Sequence, residues 1–109
     1  MEQYNTLLQK LIPGLVGIFQ NSVYSIILYG SVARGTHTEE SDIDIAVIVK
    51  NDTKDMHEQM TDLVVDLELE FNTVLSVLLI NYDKFMEWGN IMPFYKSVKK
   101  EGIVLWPAA

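Results

Sequence analysis

Residues 30–44, Gly30-Ser31-Val32-Ala33-Arg34-Gly35-Thr36-His37-Thr38-Glu39-Glu40-Ser41-Asp42-Ile43-Asp44, decide how the rest of the chain is read. They stand between two runs rich in β-branched and aromatic residues. Val23 to Tyr29 follows Asn21-Ser22 and stops at Gly30, and Ile43 to Val49 is closed by Lys50-Asn51-Asp52, so both runs are predicted strands. Glycines at positions 30 and 35 allow a tight turn out of the first strand into one short helical turn and out again.

Working outward, Tyr4, Leu7, Leu8, Leu11, Leu15, Ile18 and Phe19 fall on one helical stripe, interrupted at Pro13-Gly14, where a helix is expected to end, kink or restart. Beyond the second strand, Met56, Met60, Leu63, Val64, Leu67 and Phe71 recur at helical spacing, opposite Asp55, Glu58, Gln59, Asp62 and Asp66. Residues 73–80 supply a third strand. Asn81-Tyr82-Asp83 opens a helix carrying Lys84, Phe85, Met86 and Trp88, and Pro93 starts a last helix running to about Lys100. Gly102 and a short apolar end, Ile103-Val104-Leu105, follow. This order predicts an α/β (α+β) layer structure, a sheet of three or more strands packed with helices in one domain over residues 1–109.

Composition narrows the function. The 109 residues carry 8 Lys+Arg against 15 Asp+Glu, a formal charge of −7, so adhesion to nucleic acid through the phosphate backbone is not expected. The 49% apolar content is enough to fill one small core. Without cysteine there is no disulfide framework and no thiolate metal site, and a reducing cytoplasm is the simplest setting. No apolar run, residues 77–80 included, is long enough to span a bilayer, and the first residues lack the basic flank and apolar core of a leader.

The chemistry lies in the quoted stretch. Asp42 and Asp44 occupy alternate positions where the second strand begins, so both carboxylates leave the same face, roughly 6 to 7 Å apart at the backbone. Two carboxylates aimed together repel unless a cation sits between them, and Mg²⁺ prefers one or two carboxylates plus the phosphates of a substrate. Gly30 and Ser31 stand where a strand runs into a helical turn, which directs free backbone N–H groups and a hydroxyl at one spot, an anion socket. A phosphate socket facing a carboxylate pair is the layout of metal-assisted phosphoryl or nucleotidyl transfer. Taken singly, Asp-x-Asp is more often a solvated strand edge or a turn capped by Ser41.

The pattern Gly-Ser-x-x-Arg-Gly, a short loop, and Ser-Asp-x-Asp resembles the signature of the nucleotidyltransferase superfamily related to DNA polymerase beta and kanamycin nucleotidyltransferase, and the small size resembles its minimal branch, called MNT. The resemblance implies a nucleotidyltransferase fold with a small mixed sheet, Gly30 and Ser31 holding nucleotide phosphates, and Asp42 and Asp44 coordinating Mg²⁺ as catalytic residues. It implies ATP as substrate. Arg34 would lie near the phosphates or form an ion pair with Asp42, Glu39 or Glu40. It also implies a partner, a HEPN-domain toxin that an MNT protein neutralises as antitoxin. An acidic chain suits a basic partner of that kind. With no second domain to enclose a small acceptor, the acceptor surface is expected from another protein.

One departure bears on catalysis. The resemblance calls for a third carboxylate on the next strand, which binds the ion and helps take the proton from the attacking hydroxyl. Ser76 falls at that position, and serine is neither a strong hard-ion ligand nor a base at neutral pH. If the strand begins early, Glu70 shares the face of Ser76; otherwise Glu68 and Glu70 belong to the wet side of the preceding helix. Three functions follow: transfer of AMP to a protein hydroxyl, neutralisation of a partner by binding alone, or nucleotide binding by a regulator that forms no stable protein complex. Of the remaining candidates, His37 lies in the loop and His57 on a helix surface, Lys96, Lys99 and Lys100 form a basic patch, and Trp88, Ile91, Met92, Phe94, Tyr95 and Trp106 are an apolar surplus that finishes the core or meets a partner. The oligomeric state is open, with an oligomer possible from sequence.

Overall fold

The computed structural model describes residues 2–36 and 42–107. His37, Glu39 and Glu40 lie outside the described residues.

Helix α1 (Glu2–Phe19) is continuous, which corrects the expected interruption at Pro13-Gly14. Proline removes one backbone donor, but Leu7, Leu11, Leu15 and Phe19 are all fully buried along one stripe, and burial of that stripe outweighs the lost bond. Gly14 serves packing here: a Cβ on it would lie 2.7 Å from Leu63 Cδ2, so the dipeptide lets α1 approach the long third helix. A single 3₁₀ turn, Gln20–Ser22, leads into β1 (Val23–Tyr29).

The chain continues through α2 (Gly30–Arg34), β2 (Ile43–Val49), α3 (Lys54–Phe71), β3 (Leu75–Asn81), α4 (Tyr82–Trp88), α5 (Pro93–Glu101) and β4 (Ile103–Trp106). Side chains fix two of the helix starts, Thr53 Oγ1 accepting from the Met56 amide at 3.2 Å and Asn81 Oδ1 from the Lys84 amide at 3.1 Å. The third strand begins later than the pattern suggests. Asn72 takes a left-handed cap (φ 48°) and the Thr73 amide still bonds to Glu68 O, so residue 73 closes α3 rather than opening β3.

The four strands form one mixed sheet in the order β3-β2-β1-β4. β1 pairs antiparallel with β2 and β4, whereas β2 and β3 are parallel and need the crossover that α3 provides. The apolar end of the chain is therefore a fourth strand. Alternation along β2 sends Ile43, Ile45, Val47 and Val49 into one cluster with Leu7, Leu11, Leu15, Phe19 and Leu67. Ala46 and Ile48 join Ile27, Ile80, Phe85 and Val98 in a second cluster. With helices on both faces, β2 reads as an almost unbroken apolar run. Asp44 is the polar member of that run, and by the same alternation it opens on the face of α4 and α5. Among the described residues no helix is long and apolar enough to cross a membrane.

Two substitutions in α1 should move stability in opposite directions. Leu15→Ala empties a fully buried position and is expected to cost about 2–5 kcal/mol. Gly17→Ala adds a Cβ with nothing within 4 Å and is expected to contribute roughly 0.5–1 kcal/mol. Urea unfolding midpoints measure both.

Candidate functional site

The site forms where β1 ends, β2 begins and β3 begins. Tyr29 is the last residue of β1, and its Cα pairs with that of Asp44; on the other side Asp44 pairs with Ser76. Gly30 then turns the chain with φ 77°, and Val32, 7% exposed, anchors the short α2 so that Ser31 stays at its start. Gly35, also left-handed, ends the turn, with its amide directed at Val32 O and the Thr36 amide at Ser31 O.

Gly30 and Asp44 meet. A Cβ on Gly30 would stand 2.2 Å from Asp44 Oδ2 and 3.1 Å from its Cγ, so the carboxylate lies against the glycine. Any other residue is disfavoured twice, by that contact and by the positive φ. The register explains why: a turn leaving β1 at Tyr29 passes over the β2 residue paired with Tyr29, which is Asp44.

Partial burial and the neighbouring Asp42 both push the Asp44 carboxyl above its ordinary 3.8, and the Arg34 guanidinium pulls part of the way back. Asp44 thus feels both Asp42 and Arg34. The Tyr29 phenol is raised as well, by burial first and then by Asp44. Tyr29 escaped the sequence reading because its closeness to the acidic pair depends on cross-strand register, which no local pattern encodes.

Arg34 has a partner that was not foreseen. Its Nη1 lies 3.7 Å from Glu101 Oε2 at the end of α5, with both side chains about half exposed, so among the described residues Glu101 and not Asp42 is its ion pair. Exposed pairs of this kind contribute roughly 0–1 kcal/mol, so its interest is positional: it links α5 to the socket turn. Ser76 stands beside Asp44 with its side chain exposed. Glu70 is in the last turn of α3 and pairs with Lys10, so it shares no strand face with Ser76. Glu68 Oε2 accepts from the Leu75 amide at 3.0 Å and fixes the start of β3. His57 pairs with Asp52 away from these residues.

Among the described residues no cluster of three or more His, Cys, Asp or Glu side chains could hold a metal. Asp42 and Asp44 form a two-carboxylate set, and their mutual repulsion fits a hard divalent ion that draws its remaining ligands from phosphates and water. Lys96 and Lys100 line an open groove of about 500 Å³ with Asn90, Ser97 and Glu101. Lys99 is engaged with Asn90 Oδ1 at 3.3 Å.

Comparison with known proteins adds the following. The family profile described as "Nucleotidyltransferase domain" matches residues 8–105. A Methanocaldococcus jannaschii chain named "Putative protein adenylyltransferase MJ0604" is 30% identical over 102 residues, covering 91% of this chain and 94% of its own. Two solved structures share the fold. One, a toxin-antitoxin with AMP-PNP, has a TM-score of 0.58 at 24% identity and covers 90% of this chain and 72% of that one. The other, described as a putative minimal nucleotidyltransferase, has a TM-score of 0.59 at 21% identity and covers 91% and 92%.

The contact between Gly30 and Asp44 makes their substitutions non-additive. Gly30→Ala alone should destabilise by roughly 1–3 kcal/mol, and in an Asp44→Ala background its cost should shrink toward the ~1 kcal/mol of backbone strain. Additive costs in a double-mutant cycle would contradict the contact. The raised Asp44 carboxyl has a further consequence: the folded state holds this proton more tightly than the unfolded chain, so stability present below 3.8 is lost as pH rises from there through the raised value. Asp44→Asn should therefore melt higher than the unsubstituted protein at neutral pH, and the difference should close in acid.

Proposed function

The chain belongs to the nucleotidyltransferase domain family, and from that premise we propose that it transfers AMP from ATP to a hydroxyl of a partner protein, acting as the antitoxin of a HEPN-type toxin. The observation that supports the reading is the seating of the Asp44 carboxylate against Gly30, which brings the acidic pair to the turn that the reading takes as the phosphate socket. Gly30 and Ser31 take the nucleotide phosphates through backbone N–H groups and the Ser31 hydroxyl, and Arg34 adds a positive charge beside them. Asp42 and Asp44 hold Mg²⁺. When bound, the ion neutralises phosphate charge and aligns the triphosphate for in-line attack.

The acceptor hydroxyl oxygen forms a bond to the α-phosphorus, the bond from that phosphorus to the bridging oxygen breaks, pyrophosphate leaves, and the hydroxyl proton passes to water. ATP as substrate sets the reaction in the cytoplasm. Two similarities support a protein acceptor and a toxin partner: the relative named for protein adenylyltransfer, and the toxin-antitoxin structure that contains AMP-PNP.

A second reading has its own observation. Ser76 is the residue paired with Asp44 on β3, and a serine there supplies neither charge nor base. On that reading the fold neutralises its partner by covering it.

Mass spectrometry of the partner after incubation with this protein, ATP and Mg²⁺ separates the two. Transfer predicts one added AMP, reduced to background by Asp44→Ala in a protein that still folds. An unmodified yet inhibited partner overturns the transfer reading. Ser76→Asp, which places a third carboxylate beside Asp44, should lower the metal-free melting temperature and strengthen Mg²⁺ binding severalfold.

A further inference from the structure

Phe94 is the second residue of α5, behind Pro93. It shares a helix face with Val98, which is buried at 1% exposure, and with Glu101, which reaches Arg34 on the socket turn. Its ring stands nearly perpendicular to that of Tyr29, centroids 5.5 Å apart at 85°, and leans on Tyr95 at 5.9 Å. Tyr29 is in turn the chain neighbour of Gly30 and the register partner of Asp44. Phe94 nevertheless stays 41% exposed. An aromatic ring braced by two others is rigid, and one left open beside a phosphate socket offers a flat apolar surface.

We propose that Phe94, braced by Tyr29, is the shelf on which the base of the bound nucleotide stacks. This rests on the nucleotide-binding reading above and adds a base subsite to it. A nucleotide held by its phosphates at Gly30 and Ser31 carries its planar base one sugar away, and the base needs a stacking surface within that reach. Other exposed aromatic residues are placed differently. Tyr24 sits at the opposite end of β1 against Tyr82, roughly 17 Å along the strand from Tyr29. Trp88 ends α4 and makes no ring contact with the β1–α2 junction among the described residues. Stacking uses the π-face that every base has, so the shelf grips a base without reading its edge.

The test compares two ligands, ATP and inorganic tripolyphosphate, each titrated with Mg²⁺ by calorimetry. Against the unsubstituted protein, Phe94→Ala should weaken ATP between about fivefold and a hundredfold while leaving tripolyphosphate within about twofold. Phe94→Trp should retain ATP, and Phe94→Leu, which keeps apolar bulk without a π-face, should lose it as alanine does. Equal losses for both ligands would mean that Phe94 only supports the fold and would overturn the shelf. So would leucine binding as well as phenylalanine, or an unchanged ATP affinity in Phe94→Ala, the result expected if Phe94 with Ile91 and Met92 serves a protein partner instead. An unsubstituted protein that binds tripolyphosphate as tightly as ATP overturns the shelf and leaves the socket standing, whereas one that binds neither overturns both.

Discussion

The seating of one carboxylate against one glycine sets the geometry of everything around it. Asp44 lies in the space that a side chain on residue 30 would take, and glycine makes the left-handed turn there without the strain of a Cβ. The antiparallel register of β1 and β2 makes the two coincide, with Tyr29 opposite Asp44 and the turn passing directly over it. The rest of the sheet serves to hold that register. Apolar side chains on both faces of β2 are sealed by α1 and α3 on one side and by α4 and α5 on the other, and a slip of one residue would exchange the two faces and bury the acidic pair.

The same constraint explains the electrostatics. Bringing Asp44 toward the sheet and beside Asp42 raises the free energy of its ionised form, and only part of that is returned by Arg34. On the proposed reading, in which the Gly30 and Ser31 amides receive phosphate, the destabilised Asp44 carboxylate and those amides favour a ligand that satisfies both at once. A divalent cation carrying a polyphosphate does so, since the cation meets the carboxylates and the phosphates meet the amides. The ion pair of Arg34 with Glu101 ties α5 to this corner, so Phe94 and the socket turn are held in one frame.

Much of this was legible from local pattern. The two strands flanking the motif and the long amphipathic helix have the limits expected of them, because β-branched runs ended by turn residues and a sustained helical period are local signals. The Gly30 and Asp44 positions were readable as a spacing. What escaped were effects decided at a distance. Proline 13 fails to break α1 because four buried side chains hold the helix against the sheet. The start of β3 is fixed by the Glu68 carboxylate. Residues 103–106 become a strand only because β1 leaves an edge to pair with. Tyr29 and Glu101 reach the site through register and through an ion pair between elements far apart in sequence.

That divalent metal is held between the acidic pair and the Gly30–Ser31 turn is most directly tested by paramagnetic broadening of amide NMR signals, with Mn²⁺ in place of Mg²⁺ and ATP present. Substoichiometric Mn²⁺ should broaden Gly30, Ser31, Asp44 and Ser76 first and together. Broadening that begins instead on the acidic outer face of α3, around Asp55 and Asp62, or that spreads evenly over the surface, would contradict a metal-nucleotide site at this corner of the sheet.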